Sequence, residues 1–275
     1  MNNKKNIICS GLKGFIGTSL QEFFKDEIVF YDFTEDYREI CSKKIRYDAF
    51  INLATRLKPS MKNITTELIL DDIRDNINFY NFFKQNEIDK FIFTSSAGAL
   101  GPVSLDNAKQ SKSHYANNKR FLENTYCLND DSNQIFILRC TNIYGPRQTH
   151  KNNHGLIPML VNNIKKNLVV EIWGDGGIRK NFLYIDDFCR LVGKIVSSGN
   201  DKHGIYNVGD ETSHTINELL ALFEKTFQKK INVRYLESKE TDNSLNEIDI
   251  SQAKQIFGWT PTTSLEDGIK KIYEY

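Results

Sequence analysis

Five short apolar runs, rich in β-branched and aromatic residues, recur along the first half of the chain. They lie at residues 7–9, 28–31, 49–53, 91–94 and 135–138. Most segments between them carry helical spacing, as Leu70, Ile73 and Ile77 do ahead of the fourth run. This alternation predicts an α/β protein in which a doubly wound parallel sheet is covered by helices on both faces.

The pattern changes after Pro146, where turn-rich stretches replace the long periodic segments. A short strand is predicted at 205–208, and Thr215 with Glu218 three residues later has the spacing of a helix-capping box. We assign these elements to a smaller C-terminal α/β lobe that binds substrate. The predicted organisation is a sheet domain over residues 1–147, with 182–204 packing back onto it, and the smaller lobe over 148–275.

The composition fits an ordinary globular enzyme, because 40% of the 275 residues are hydrophobic, enough for one full core and a smaller lobe. Lys and Arg number 36 against 35 Asp and Glu, so no overall field favours nucleic acid or an anionic membrane as a partner. The five cysteines are scattered and the five histidines form no ligand pattern, so we expect no metal site. No stretch approaches the roughly 20 apolar residues of a membrane span, and we expect a cytoplasmic protein.

Three glycines follow the first apolar run at the spacing Gly-x-x-Gly-x-x-Gly. They are Gly11, Gly14 and Gly17, and Phe15 and Ile16 open the predicted helix. Without Cβ atoms the backbone turns tightly and approaches a pyrophosphate, which then lies against the amide groups of the helix N-terminus. Three glycines alone fit a purely structural turn equally well. Their position between the first strand and the first helix favours dinucleotide binding.

Asp32 ends the second apolar run, where a carboxylate accepts hydrogen bonds from an adenosine ribose and favours NAD over NADP. A solvated turn acid in this Asp-rich stretch is an equally good interpretation. The choice between NAD and NADP therefore stays open at this point.

Tyr115 and Lys119 are four residues apart on a predicted helix, so their side chains project from the same face. A lysine ammonium there stabilises a phenolate and moves the tyrosine towards the working range of a general base. Ser96 follows the fourth strand, at the carboxyl edge of the sheet, where its hydroxyl can bind a substrate oxygen. In isolation such a Tyr and Lys pair also occurs by chance. The order of the glycine turn, the Ser96 strand end and the pair favours a catalytic centre.

Several short motifs connect these positions, in the same order, to a known family. The first half carries Ser10–Gly17, Asn52–Thr55, Asn76, Ser95–Ala97, Tyr115 and Lys119, and the second half carries 138–147, 173–176, 182–187 and 251–261. Together they resemble the extended short-chain dehydrogenase/reductase family of nucleotide-sugar epimerases, dehydratases and reductases. The likeness spans nearly the whole chain.

The resemblance implies a Rossmann-type fold that binds NAD, with NADP as the other possibility. In addition to the glycine turn and Asp32, it implies cofactor contacts from Leu53, Ala54, Tyr115 and Lys119. It also implies that Asn76 supports the lysine side of the centre.

For the substrate, the resemblance implies a nucleoside-diphosphate sugar. Asn142 inherits the role of holding the diphosphate, and Arg179 or Lys180 takes the place of an arginine that grips a substrate phosphate. The helices at 68–83 and 115–126 match those through which relatives dimerise, so we expect a homodimer.

Two departures from the family pattern narrow the function. The 15 residues between Asp32 and Asp48 are too few for the usual strand plus helix, and this shortening is similar to that of the 4-keto-sugar reductases. Ala97, Gly98 and Ala99 follow Ser96 where the 4,6-dehydratases carry an Asp-Glu pair, which argues against dehydration.

The sequence therefore predicts a nucleotide-sugar 4-epimerase or 4-ketoreductase that works through a 4-keto sugar. Tyr115 carries the proton and Lys119 adjusts the pKa of Tyr115. Ser96 orients the C4 oxygen, and a nicotinamide exchanges the hydride. The alternative is a non-catalytic dinucleotide-binding sensor or scaffold of the same superfamily.

Overall fold

The structure is a computed structural model that describes residues 4–42, 45–59, 61, 63–99, 113–130, 134–148, 155–237 and 247–275. It divides into two compact units. The first comprises Met1–Cys140 with Cys189–Asn207, and the second comprises Thr141–Phe188 with Val208–Tyr275.

The described strands and helices alternate through the first half of the chain, as predicted. The strands are β1 (Lys5–Ser10), β2 (Ile28–Asp32), β3 (Ala49–Asn52), β4 (Phe91–Ser96), β5 (Ile135–Cys140), β6 (Asn142–Tyr144), β7 (Val170–Trp173), β8 (Arg179–Tyr184), β9 (Gly204–Val208), β10 (Ser213–Thr215) and β11 (Val233–Leu236). The helices are α1 (Phe15–Phe23), α2 (Tyr37–Ser42), α3 (Thr66–Gln85), α4 (His114–Leu128), α5 (Leu156–Lys165), α6 (Ile185–Ser197), α7 (Ile216–Phe227), α8 (Ser251–Phe257) and α9 (Leu265–Glu274).

A six-stranded sheet in the order β2-β1-β3-β4-β5-β9 is the centre of the first unit. The pairs β1–β2, β1–β3, β3–β4 and β4–β5 are all parallel. All five apolar runs form strands of this sheet, which confirms the predicted fold class. Parallel strands direct their carboxyl ends to one edge, so the residues after β1, β3 and β4 share that edge.

An aromatic cluster packs α3 and α4 onto the middle of this sheet. The ring of Phe91 lies 5.7 Å from Phe50, 5.5 Å from Tyr80 and 5.2 Å from Tyr126, measured between centroids. Pairs of this kind contribute about 0.5–1.5 kcal/mol each beyond the burial of their area. The cluster fixes the two helices that carry Asn76 and the Tyr115 and Lys119 pair.

The second unit contains a three-stranded sheet in the order β10-β8-β6 and a two-stranded sheet of β11 and β7. The Thr215 hydroxyl accepts from the Glu218 amide while the Glu218 carboxylate accepts from the Thr215 amide, so the predicted capping box at the start of α7 is confirmed.

Asp187 has a role that differs from the helix capping expected for an acid in the first turn of α6. Its buried carboxylate accepts the backbone amides of Thr262 at 2.7 Å and Thr263 at 3.1 Å, and its carbonyl accepts the Trp259 indole N–H at 2.9 Å. Asp187 therefore holds the segment after α8 against the first turn of α6.

The unit boundaries differ from those predicted. The first boundary lies at Cys140, because only Thr141 separates β5 in the large sheet from β6 in the small one. The returning segment is Cys189–Asn207 rather than 182–204. The strand predicted at 205–208 for the smaller lobe is β9, and it lies at the edge of the six-stranded sheet beside β5.

Candidate functional site

The glycine turn lies at the carboxyl end of β1. Gly11 has a φ of 77°, a region that favours glycine, and its carbonyl accepts the Gly14 amide at 3.0 Å. At buried Gly17 a Cβ atom would lie 2.6 Å from the Leu12 Cα and closer still to its carbonyl oxygen. Gly14 caps α1 without any side-chain hydrogen bond. The first amide groups of α1 thus meet no capping side chain, an arrangement suited to binding a phosphate.

The end of β3 lies directly against this turn. A Cβ atom on Gly11 would lie 3.1 Å from the Ala54 amide nitrogen, and the Leu53 amide donates to the Ser10 carbonyl at 3.2 Å. Phe15 and Ile16, the first residues of α1, are half-buried. The structure therefore brings together the residues after β1, on α1 and after β3 that were predicted to contact the cofactor.

Asp32 ends β2 on the same edge of the sheet and is 8% exposed. One carboxylate oxygen accepts the Thr34 amide at 2.9 Å and the Glu35 amide at 3.2 Å. The structure thus gives Asp32 a role in its turn, but as a buried acceptor rather than the solvated turn acid that was the alternative to ribose binding. Its other carboxylate oxygen takes no hydrogen bond from the described residues. The short segment that follows contains the six-residue helix α2.

Ser96 and Tyr115 meet at the carboxyl edge of β4. Ser96 is the last residue of β4, and its Oγ accepts the Gly98 amide at 3.1 Å. Tyr115 is the second residue of α4, whose N-terminus is capped by the Ser113 hydroxyl. The Ser96 and Tyr115 side chains are hydrogen-bonded. Burial above all raises the pKa of Tyr115 well above its usual range, which is opposite to the lowering expected from Lys119, so the phenol keeps its proton.

Lys119 lies one helical turn after Tyr115 and is 2% exposed. Its ammonium group donates to the Thr94 carbonyl at 2.9 Å and lies 4.5 Å from the Phe93 ring centroid. It lies 5.9 Å from the Tyr115 ring centroid. Burial lowers the pKa of Lys119 to about 8, and Asp72 opposes that shift. The ammonium form is therefore present at neutral pH beside a protonated phenol.

Asn76 belongs to a chain of buried amides that joins α3 to the strand ends. The Ser10 hydroxyl donates to Asn52 at 2.8 Å, and the Asn52 amide donates to Asn76 at 2.9 Å. The Asn76 amide then donates to the Asp72 carbonyl at 2.8 Å. Asn76 was expected to support Lys119, whereas its hydrogen bonds here hold the ends of β1 and β3 beside α3.

Two buried polar residues of the site, Asp72 and Asn118, were missed by the sequence analysis. Asp72 is 1% exposed, and its carboxylate accepts the Asn118 side-chain amide at 2.5 Å. The available signal was the spacing, because Asp72 lies four residues before Asn76 and eight before Tyr80, on the same face of α3. A charged residue within this inward-facing row indicates a role in the site.

The residues predicted to bind substrate phosphates lie in the second unit. The Asn142 side chain is exposed, and its amide donates to the Asn181 carbonyl at 2.8 Å. Arg179 donates to the Ser213 carbonyl and lies 3.6 Å from the Glu218 carboxylate. Lys180 is half-buried, and no described residue forms a hydrogen bond with its ammonium group. Of the two cations, Arg179 is therefore already paired within the second unit, and the Lys180 ammonium group has no hydrogen-bond partner among the described residues.

A cavity of about 170 Å³ opens beside Tyr115 in the first unit. Its lining residues are Lys58, Pro59, Met61, Asn63, Ile64, Ser113, His114 and Tyr115. A small polar group can therefore reach the Tyr115 side of α4.

The first unit is a parallel sheet with a glycine turn at the N-terminus of its first helix, and the Ser, Tyr and Lys centre lies on the same edge of the sheet. These features are typical of a Rossmann-type nucleotide-binding protein. The chain belongs to the NAD dependent epimerase/dehydratase family, whose model matches residues 17–209. This confirms the family predicted from the motifs, and it supports NAD as the cofactor.

Two curated relatives show the range of activities to which the chain is similar. A dTDP-4-dehydro-6-deoxyglucose reductase of Escherichia coli is 28% identical over 81% of this chain and 72% of its own. A putative UDP-glucose 4-epimerase of Methanocaldococcus jannaschii is 27% identical over 74% of this chain and 68% of its own.

The fold agrees with that of solved structures. A UDP-glucose 4-epimerase of Thermotoga maritima superimposes with a TM-score of 0.82 at 21% identity, over 98% of both chains. A UDP-N-acetylglucosamine 4-epimerase of Methanobrevibacter ruminantium gives 0.83 at 22% identity, over 99% of this chain and 98% of that one.

Neither a metal-binding cluster nor a membrane-spanning helix is found among the described residues. No group of three or more His, Cys, Asp or Glu side chains there is arranged to hold a metal ion. No helix in the same part of the chain has the length and apolar character needed to cross a membrane.

Proposed function

We propose that the protein is an NAD-dependent nucleotide-sugar 4-ketoreductase, with the related 4-epimerase reaction as the second possibility. The observation that carries the proposal is the hydrogen-bonded Ser96 and Tyr115 pair with the Lys119 ammonium one turn away. A phenol that keeps its proton is a donor to a carbonyl oxygen, which is the proton transfer that ketone reduction requires. The shortened segment after Asp32, which is similar to that of the 4-keto-sugar reductases, also favours reduction.

The residues of the glycine turn fit a dinucleotide. The surrounding backbone leaves no room for a side chain at Gly11 or Gly17, and Gly14 offers no side chain to cap the α1 amide groups. We propose that these amides hold the pyrophosphate and that Leu53, Ala54 and the second carboxylate oxygen of Asp32 face the adenosine half. When bound, NADH supplies the hydride for the C4 carbon.

Each residue of the centre then has a defined task. Ser96 binds the C4 oxygen and holds the Tyr115 hydroxyl in line with it. Tyr115 donates its proton as the carbonyl becomes an alkoxide. Lys119 stabilises the negative charge that this transfer leaves on the phenol oxygen.

We propose a nucleoside-diphosphate sugar as the substrate, since the curated relatives act on dTDP- and UDP-linked sugars. Asn142 and Lys180 are proposed to bind the diphosphate, with Arg179 supporting the loop at Ser213. The cavity at Tyr115 is proposed to receive a substituent of the sugar ring.

The nucleotide content of the purified, denatured protein separates the two reactions. A reductase releases its oxidised cofactor in every cycle, so we expect little nucleotide by mass spectrometry. Near-stoichiometric NAD would instead favour the epimerase, which returns the hydride to the same sugar and retains its cofactor.

The Lys119 ammonium group makes the reaction sensitive to alkaline pH. Because its folded pKa is about 8, the charged form is complete well below that pH and is lost above it. We therefore expect kcat for reduction to fall as the pH rises through about 8. Initial rates at saturating substrate between about pH 6 and pH 10 measure the profile. A constant kcat across this range would contradict the role given to Lys119.

A homodimer is proposed through α3 and α4, which expose large apolar side chains. Leu70 is 53% exposed, Phe121 48% and Leu128 84%. We expect the wild type to sediment as a dimer at micromolar concentration and the Phe121→Glu variant as a monomer. Leu168→Glu is the matched control, because Leu168 is 49% exposed in the second unit. A monomeric wild type would overturn this proposal.

A further inference from the structure

Asp72 is a buried carboxylate that the reaction described above does not use. It accepts the Asn118 side-chain amide at 2.5 Å, the Thr55 hydroxyl at 3.0 Å and the Arg56 backbone amide. The Arg56 side chain is turned away and pairs with Asp75 at 2.6 Å. Within the described ranges no cation forms an ion pair with Asp72. Its negative charge is thus held in place by neutral donors only.

The position of Asn118 connects this carboxylate to the catalytic turn of α4. Asn118 directly precedes Lys119 and is three residues after Tyr115, and it is 5% exposed. The hydrogen bond from Asn118 to Asp72 therefore fixes the helical turn that carries the pair. The donors Thr55 and Arg56 attach the same carboxylate to the segment after β3, beside the proposed cofactor site.

The other titratable groups near Lys119 carry less uncompensated charge. The charge of Glu123 on α4 is compensated by Arg139, which donates three hydrogen bonds at 3.1, 3.0 and 2.6 Å, and Glu123 also accepts the Ser95 hydroxyl. Burial raises the pKa of the Cys140 thiol on β5, so it stays neutral. Tyr115 keeps its proton. Among these groups, Asp72 is the one that offers an unpaired negative charge.

We propose that Asp72 is a positioning residue of the centre, which holds the Tyr115 and Lys119 turn through Asn118 and stabilises the Lys119 ammonium group through its charge. The proposal rests on the proposed function only for the use of the pair in catalysis. Its geometry and its electrostatic effect exist in the protein without substrate, and they are tested there.

The Asp72→Asn variant removes the charge with little change of shape. The new amide would meet the Asn118 amide, but the Asn118 Oδ1 atom is buried without a hydrogen-bond partner. A flip of Asn118 turns this oxygen towards residue 72 and restores a hydrogen bond. The Thr55 and Arg56 donors retain one oxygen acceptor. The variant is therefore expected to fold while losing the negative charge.

The experiment is a pH titration of Lys119 in the folded protein, without substrate. Lysine labelled with ¹³C at Cε is followed by NMR, and the Lys119 signal is assigned by its loss in Lys119→Met. The wild-type midpoint is expected at about 8. In Asp72→Asn we expect it to fall by about one pH unit or more, since an opposite charge at close range shifts a pKa by about 1–3 units. An unchanged midpoint overturns the proposal.

Two further variants distinguish charge from structure. Asp75→Asn removes a neighbouring carboxylate of α3 that pairs with Arg56, and it should leave the Lys119 midpoint unchanged. Asp72→Asn combined with Asn118→Asp returns a carboxylate to the other end of the same hydrogen bond, and it should restore the midpoint. A double variant with the midpoint still lowered would refute the electrostatic role. If Asp72→Asn does not fold, Asp72→Ser takes its place with the same expected fall.

A readout of activity then connects Asp72 to the proposed function. In Asp72→Asn the alkaline fall of kcat should move to lower pH by the same interval as the NMR midpoint. If the midpoint moves in a protein that reduces no 4-keto sugar, the electrostatic proposal stands while the proposed function fails. If the kcat profile does not follow the midpoint in an active enzyme, the role of Asp72 in catalysis is wrong.

Discussion

The Tyr115→Phe variant is expected to lower kcat for 4-keto-sugar reduction by about 10²- to 10⁴-fold, the usual contribution of a positioned general acid. The change removes only the hydroxyl that donates the proton and bonds to Ser96. NADH binding should largely persist, because Tyr115 is one of several implied cofactor contacts and the glycine turn and the residues after β3 are untouched. Single-turnover hydride transfer and NADH fluorescence titration measure the two effects separately.

The matched control for this variant is Tyr126→Phe on the same helix. The buried Tyr126 hydroxyl donates to the Asn76 carbonyl at 3.2 Å, so its loss should cost stability by about 1 kcal/mol with kcat nearly unchanged. A non-catalytic sensor or scaffold would bind NAD and respond to neither variant. Full activity in Tyr115→Phe would therefore remove Tyr115 from the proposed mechanism.

The Gly17→Ala variant is expected to damage both folding and cofactor binding. Its Cβ atom would overlap the backbone of Leu12, and backbone atoms cannot move aside as a flexible side chain can. We expect a loss of about 3 kcal/mol in the free energy of unfolding, at the upper end of the usual cost of overpacking. NAD affinity should fall with it, because the turn before α1 must open. Urea unfolding and calorimetric NAD titration measure these quantities.

Gly14→Ala is the comparison for the stability effect. Gly14 has a φ of −76°, which alanine adopts readily, and its Cβ atom would lie 3.2 Å from the Gly11 carbonyl oxygen. We therefore expect a smaller loss of stability than in Gly17→Ala. Equal stability of Gly17→Ala and the wild type would contradict the close packing of α1 on the turn.

The fold was predictable because its signals are local. The β-branched and aromatic runs of β1 to β5 are bounded by helical segments. The runs of β1, β3, β4 and β5 are buried almost throughout, as inner parallel strands require, whereas Val29 in the edge strand β2 is exposed. The glycine spacing and the Tyr115 and Lys119 spacing are also contained in short windows. These patterns, read in order, were sufficient to identify the family.

Other features depend on contacts between distant segments, which no local pattern contains. Asp72 lies in an Asp-rich stretch, and its burial arises only when α4 brings Asn118 against α3. Asp187 lies in the first turn of an apolar helix, where an acid ordinarily serves the helix N-terminus, yet its carboxylate binds Thr262 and Thr263, about 75 residues later. The edge position of β9 similarly follows from the return of the chain to β5.

Transfer of deuterium from labelled NADH to the sugar tests the central claim most directly. The wild-type protein is incubated with 4-keto sugars linked to dTDP or UDP, including dTDP-4-dehydro-6-deoxyglucose, and with NADH that carries deuterium at its transferable position. Mass spectrometry and NMR should find deuterium at C4 of the reduced sugar, with one NADH oxidised for each sugar formed. A folded protein that binds NADH and transfers deuterium to none of these sugars would contradict the account.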